Sequence, residues 1–146
     1  MRIVDHYVTG TGLRVRRTEN GSEVVYKFAQ KVRACPDSPA EVKLTNMYLS
    51  EQEYGVLLRL PGCALYKTRW RWRAGSRQVA VDEFGGPLSG LVLAEVELTT
   101  GRQPFVLPLP AADVTDDDRF SGGRLAAADQ AEIAQLRRLA ATVTNR

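Results

Sequence analysis

Histidine and cysteine are almost missing from this chain of 146 residues: His6 is the single histidine, and Cys35 and Cys63 are the two cysteines. Two cysteines without metal-ligand spacing or further partners exclude a cysteine-based metal centre and a disulfide framework, so a reduced, cytoplasmic chain is expected. A lone histidine in a strand reads as structural. Long apolar runs are lacking too. No segment approaches the roughly 18 apolar residues of a membrane span, and the opening Met-Arg-Ile-Val-Asp has no apolar core of a signal peptide, so no membrane partner is expected. Internal repeats and low-complexity linkers are absent, and the length suits one domain over residues 1–146. The net charge of +3 is too small to argue for nucleic acid by itself.

Charge is present but unevenly placed. Residues 1–73 hold 13 Lys and Arg against 7 Asp and Glu, and residues 74–146 hold 7 against 10. Alternation predicts strands at 3–8, 13–17, 23–32, 43–49, 64–73, 77–84 and 88–98, with turns at Asn20-Gly21 and Gly75-Ser76 and a loop at 35–39. Ser50 and Glu53 form a capping box, with Leu49 and Tyr54 as a hydrophobic staple, so a helix runs from there to about Leu60, ahead of Pro61. Pro104, Pro108 and Pro110 argue against a regular central strand. A last helix is expected over 125–142, with Ile133, Leu136, Leu139 and Ala140 as its buried stripe.

Successive side chains of a strand point to opposite faces, so Leu91, Leu93, Glu95 and Glu97 share one face. Two carboxylates there are costly unless a divalent metal or Lys and Arg side chains sit against them. The same period-2 logic groups Arg14 with Arg16, Lys27 with Lys31, and Lys67 with Arg69, Arg71 and Arg73, while Thr68, Trp70 and Trp72 fall on the opposite face. The expected architecture is α+β and mainly antiparallel, a meander whose charged face curls inward while its apolar faces pack outward against two helices. An interior of Arg and Lys suits a chain of phosphoryl groups, and the acid pair suits Mg²⁺ or Mn²⁺. A stacking platform for nucleic acid would mix Trp and Arg on one face; here they separate, so nucleic acid is not the expected partner. Asp116, Asp117 and Asp118 read as a solvated acidic loop.

With these residues in view, the chain resembles the CYTH family of triphosphate tunnel metalloenzymes, which includes class IV adenylate cyclases, thiamine triphosphatases and tripolyphosphatases. The stretches that carry the resemblance are Leu13-Arg14-Val15-Arg16-Arg17, Tyr26-Lys27, Lys67-Thr68-Arg69-Trp70, Val81-Asp82-Glu83-Phe84 and the run from Gly90 to Glu97. Asp113-Val114-Thr115-Asp116, Arg119-Phe120-Ser121 and Leu125-Ala126 add a later match. The resemblance implies an eight-strand antiparallel β-tunnel. Arg14, Arg16, Lys27, Lys67 and Arg69 would bind substrate, and Glu95 and Glu97, with Asp82, would hold the metal. Glu95 and Glu97 would thereby be catalytic.

Two departures accompany the likeness. The family opens with a Glu-x-Glu-x-Lys strand, and this chain begins after that point, so the sheet is expected to be open or to be completed by a second copy in a homodimer. Lys43-Leu44-Thr45-Asn46-Met47 stands where the family alternates glutamates. The expected function is divalent-metal-dependent hydrolysis of a triphosphate-containing small molecule, weak or absent with so few carboxylates. The alternatives are a polyphosphate- or nucleotide-binding module without turnover, and then an adenylate cyclase.

Overall fold

A computed structural model describes residues 1–33, 42–74, 77–96 and 111–144. Seven strands form one antiparallel sheet: β1 (Arg2–Val8), β2 (Leu13–Asn20), β3 (Glu23–Arg33), β4 (Val42–Leu49), β5 (Gly62–Ala74), β6 (Arg77–Phe84) and β7 (Val92–Val96). Three helices accompany them: α1 (Glu51–Leu57), α2 (Gly122–Ala127) and α3 (Gln130–Thr144). The fold is thus α+β and mainly antiparallel, as expected. Its strand order is β4-β3-β2-β1-β5-β6-β7, so it is not a simple meander. The chain runs outward to β4, returns through α1, and lays β5 against β1, with Ile3 opposite Lys67. Among the described residues β4 and β7 are the edges, and the sheet is open.

Local chemistry accounts for most boundaries. Gly21, at φ +63°, and Ser22 make the two-residue loop between β2 and β3, and Asn20 faces Glu23 across it. The Ser50 hydroxyl accepts from Glu53 N–H at 3.2 Å, and the Glu53 carboxylate accepts from Ser50 N–H at 2.7 Å, the reciprocal capping box. Tyr54 then lies against Tyr26 with ring centroids 4.7 Å apart. Helix α1 ends at Leu57, three residues earlier than expected. The acidic strand is shorter than expected as well, because Gly86–Leu88 forms a 3-10 turn and regular pairing begins only at Val92. The loop at 35–39, the turn at 75–76, the prolines at 104–110 and Glu97 lie outside the described residues.

The single expected C-terminal helix is two helices. Asp129 Oδ1 accepts from Glu132 N–H at 2.8 Å while Glu132 Oε2 accepts from Asp129 N–H at 3.1 Å, a second capping box that starts α3 afresh. Ile133 and Leu136 are buried as expected, whereas Leu139 is exposed. These helices also correct the expected layering. Leu125, Ile133 and Leu136 pack with Leu65, Phe84, Leu88 and Leu91, with Tyr7 and Leu93 alongside. Leu65, Phe84 and Tyr7 share strand parity with Lys67, Asp82 and Asp5, so α2 and α3 cover one end of the charged face itself. The opposite face of β5 is left open, with Trp70 57% exposed and Tyr66 and Trp72 also at the surface.

Leu125 joins α2 to the sheet and is buried. Leu125→Ala should lower stability by about 2–5 kcal/mol, the cost of a buried cavity, as read from urea unfolding monitored by circular dichroism. A change under about 1 kcal/mol would mean that α2 is not seated on the core.

Candidate functional site

Along β5 one face passes from core to charge to solvent: Leu65 is buried, Lys67 and Arg69 are half-buried, and Arg71 and Arg73 are exposed. Beside it β1 runs from Tyr7 to Asp5 and β6 from Phe84 to Asp82. The charged groups therefore rest on an apolar floor, which desolvates them. Register places the remaining members. Arg16 sits opposite both Asp5 and Lys27, Arg14 opposite Tyr7, Asp82 opposite Arg69 and Leu93, and Glu95 opposite Ala80.

The face is concave. β3 and β7 are five positions apart, about 24 Å if the sheet were flat. Yet Lys31 on β3 is coupled electrostatically to Glu95 on β7 and to Lys67 on β5. Such coupling fades over roughly 10 Å, so the side chains of the two halves converge. Although Lys31 is exposed by area, desolvation within this concavity lowers its pKa, and Arg14, Arg16 and Lys67 add to the effect.

Two fully buried carboxylates organise the cations. Arg16 donates from Nε and Nη2 to the two oxygens of Asp5 at 2.6 and 2.7 Å. Burial opposes the Arg16 charge, but the hydrogen bonds and charge of Asp5 outweigh it and raise the pKa. Asp82 accepts from Arg69 Nε at 2.6 Å, from Arg69 Nη2 at 2.6 Å and from Lys67 Nζ at 2.5 Å. Arg69 Nη2 also reaches Glu95 Oε2 at 2.8 Å. Desolvation pushes the Asp82 carboxyl upward, yet these donors hold it below its ordinary range. Lys67 moves the opposite way for a paired ammonium: desolvation lowers its pKa despite Asp82, and Arg69 beside it lowers it further. The pair favours the acid and leaves the ammonium short of negative charge.

Arg14 stands apart from this pairing. It is only 9% exposed, its Nε is 3.6 Å from Asp5 Oδ1, and that buried Nε–H has no hydrogen-bond acceptor among the described residues. The structure thus brings Arg14, Arg16, Lys67, Arg69, Asp82 and Glu95 onto one concave face, with Lys27 on the same side. Lys27 Nζ lies 4.8 Å from the centroid of the Tyr48 ring. Sequence reasoning missed Asp5 and Tyr7. Their signal was available, because Ile3, Asp5 and Tyr7 alternate on one face of β1, and an acid there needs the cation that β2 supplies.

A divalent metal would need carboxylate oxygens that are not already engaged. Asp82 has both oxygens bonded to Lys67 and Arg69, so in this arrangement it is a counter-ion, and a metal would have to displace one of them. Glu95 has one oxygen, Oε2, engaged by Arg69, but its side chain is 60% exposed, so it fits a ligand role better than Asp82 does. Among the described residues no three His, Cys, Asp or Glu side chains are grouped to hold a metal. Asp117 in the acidic loop is bonded to Arg119. No helix among the described residues is long and apolar enough to cross a membrane.

Asp82→Asn should destabilise by about 3 kcal/mol at neutral pH, because it leaves the half-buried Lys67 without its counter-charge and Arg69 with Glu95 alone. The pH sign follows from the lowered pKa. The stabilisation by Asp82 is complete above its unfolded value of 3.8 and is lost as the pH falls from there through the lowered folded value. Urea titrations between pH 2 and 7 should show a shallower acid limb for the variant. Parallel acid limbs would remove Asp82 from this role.

Comparison with protein-family models, with curated proteins and with solved structures finds no match to this chain.

Proposed function

We propose that the concave face binds the phosphate chain of a triphosphate-containing small molecule, as the wall of a CYTH-like tunnel. The observation that carries this reading is the buried Arg14 Nε–H without an acceptor, set among cations that outnumber their acids. A buried donor left unmade costs about 1–3 kcal/mol, and an anionic oxygen removes that cost while neutralising the field around Lys67 and Lys31. Arg14, Arg16 and Arg69 supply planar forks and Lys27 and Lys67 point charges, a mixture suited to successive phosphoryl groups. Asp5 and Asp82 hold Arg16 and Arg69 in place before the ligand arrives, which reduces the entropy lost on binding.

The exposed carboxylate of Glu95 against Arg69 favours a second reading, metal-dependent hydrolysis of the same ligand. Glu95 and Glu97 would hold Mg²⁺ or Mn²⁺, with Asp82 a weaker contributor. When bound, such an ion withdraws charge from the phosphoryl group under attack. The chain's own part is to grip the phosphate chain through Arg14, Arg16 and Arg69 and to keep it in the desolvated concavity.

Arg14→Ala should weaken tripolyphosphate binding about tenfold or more, measured calorimetrically at fixed salt, since a charge-assisted hydrogen bond contributes about 1.5–3 kcal/mol. Equal affinity of variant and parent would overturn the binding reading. Competition with single-stranded RNA distinguishes the ligand classes, because RNA affinity depends steeply on salt and grows with strand length.

For the second reading, Glu95→Gln with Glu97→Gln should abolish Mg²⁺- or Mn²⁺-stimulated phosphate release yet preserve tripolyphosphate binding. Undiminished release by the double variant, or release that needs no metal, would refute the hydrolytic reading.

A further inference from the structure

Arg16 and Arg14 neighbour the same acid but are held differently. Both Asp5 oxygens accept from Arg16, and the 3.6 Å separation from Arg14 Nε is too long for a hydrogen bond. Something else must fix Arg14, because a buried guanidinium with a free rotor would point its donors in several directions. Its direct cross-strand partner on β1 is Tyr7, so the two side chains lie next to one another on the same face, and the guanidinium acts electrostatically on the Tyr7 hydroxyl.

Tyr7 is in turn pinned by the start of α2. A Cβ added at Gly122 would lie 2.0 Å from the Tyr7 hydroxyl oxygen and 2.9 Å from Cζ, and one at Gly123 would lie 3.6 Å from Cδ1 and 3.9 Å from Cε1. Two successive glycines thus cover both edges of one ring, and residue 122 has no room for any side chain while the hydroxyl is there. Leu125 anchors the same helix in the core. Burial of the phenol also raises its pKa, which keeps the hydroxyl protonated and neutral near physiological pH.

We propose that Tyr7 is a positioning residue for Arg14, and that the Gly122-Gly123 seat of α2 locks it, so that the C-terminal segment sets the anion affinity of the sheet. The inference rests on the binding role of Arg14 argued above. In this role Tyr7 acts on the ligand through the guanidinium beside it. A purely structural tyrosine would be replaced by phenylalanine without consequence for Arg14, because the ring and its packing remain.

Tyr7→Phe should reduce tripolyphosphate affinity about tenfold in a protein that remains folded by circular dichroism at the assay temperature. Gly122→Ala, which displaces the hydroxyl without deleting it, should give a loss of the same order. In an Arg14→Ala background Tyr7→Phe should have no further effect, and a full tenfold loss there would overturn the inference. A measurement without ligand separates this from the functional reading. The Nε–H resonance of Arg14 should shift in Tyr7→Phe while that of Arg16 does not. An unmoved Arg14 signal overturns the inference whatever the protein binds. Failure of the unaltered protein to bind tripolyphosphate overturns the functional reading, and the resonance comparison still decides whether Tyr7 holds Arg14.

Discussion

Burial of Asp5 and Asp82 is the constraint on which the rest of the structure depends. Each carboxylate is fully removed from water, a transfer that costs several kcal/mol per ion unless hydrogen bonds and opposite charge replace the lost hydration. Arg16 and Arg69 do so with two-pronged contacts, and Lys67 adds a third donor to Asp82. The cations that meet these two acids are themselves half-buried, so the clamps hold β1 to β2 and β5 to β6 through the middle of the sheet. Among the described residues of this face the cations Arg14, Arg16, Lys27, Lys31, Lys67 and Arg69 still outnumber the carboxylates Asp5, Asp82 and Glu95. An excess of partly desolvated cation gives the face a positive potential.

The concavity and the apolar floor depend on one another. Leu65, Phe84 and Tyr7 form the base on which Lys67, Asp82 and Asp5 stand, and α2 and α3 close that base from the same side. Had the helices covered the other face, the charged groups would meet bulk water and the clamps would lose much of their strength to screening. The arrangement has a consequence outside. Tyr66, Trp70 and Trp72 occupy the convex face of β5 with large areas in contact with solvent. Aromatic side chains and cations are therefore divided between the two faces of one strand.

Much of this was legible in the residues. Alternation is a local property, so the strands, the shared parity of Arg14 with Arg16 and of Lys67 with Arg69, and the capping box at Ser50 could be read from spacing alone, while the turn expected at Asn20-Gly21 falls one residue later, at Gly21-Ser22. The break before α3 was equally legible, in the pairing of Asp129 with Glu132, because the expected buried stripe from Ile133 to Ala140 begins only after it. Leu139 shows the limit of that stripe: it keeps the helical period, yet its side chain meets solvent.

By itself the sequence determined which residues share a face, because the two-residue repeat of a strand and the reach of a capping side chain span only a few positions. It did not determine which acid meets which cation. Asp5 finds Arg16 through a hairpin, but the charged face gains its floor and its curvature only when β5 is laid against β1, a pairing between segments about sixty residues apart. That pairing puts Leu65 beside Asp5, brings Lys31 within the field of Glu95, and turns α2 onto Tyr7. Curvature and long-range register have no period in the chain, so only the tertiary structure decided that the charged face would be the concave one.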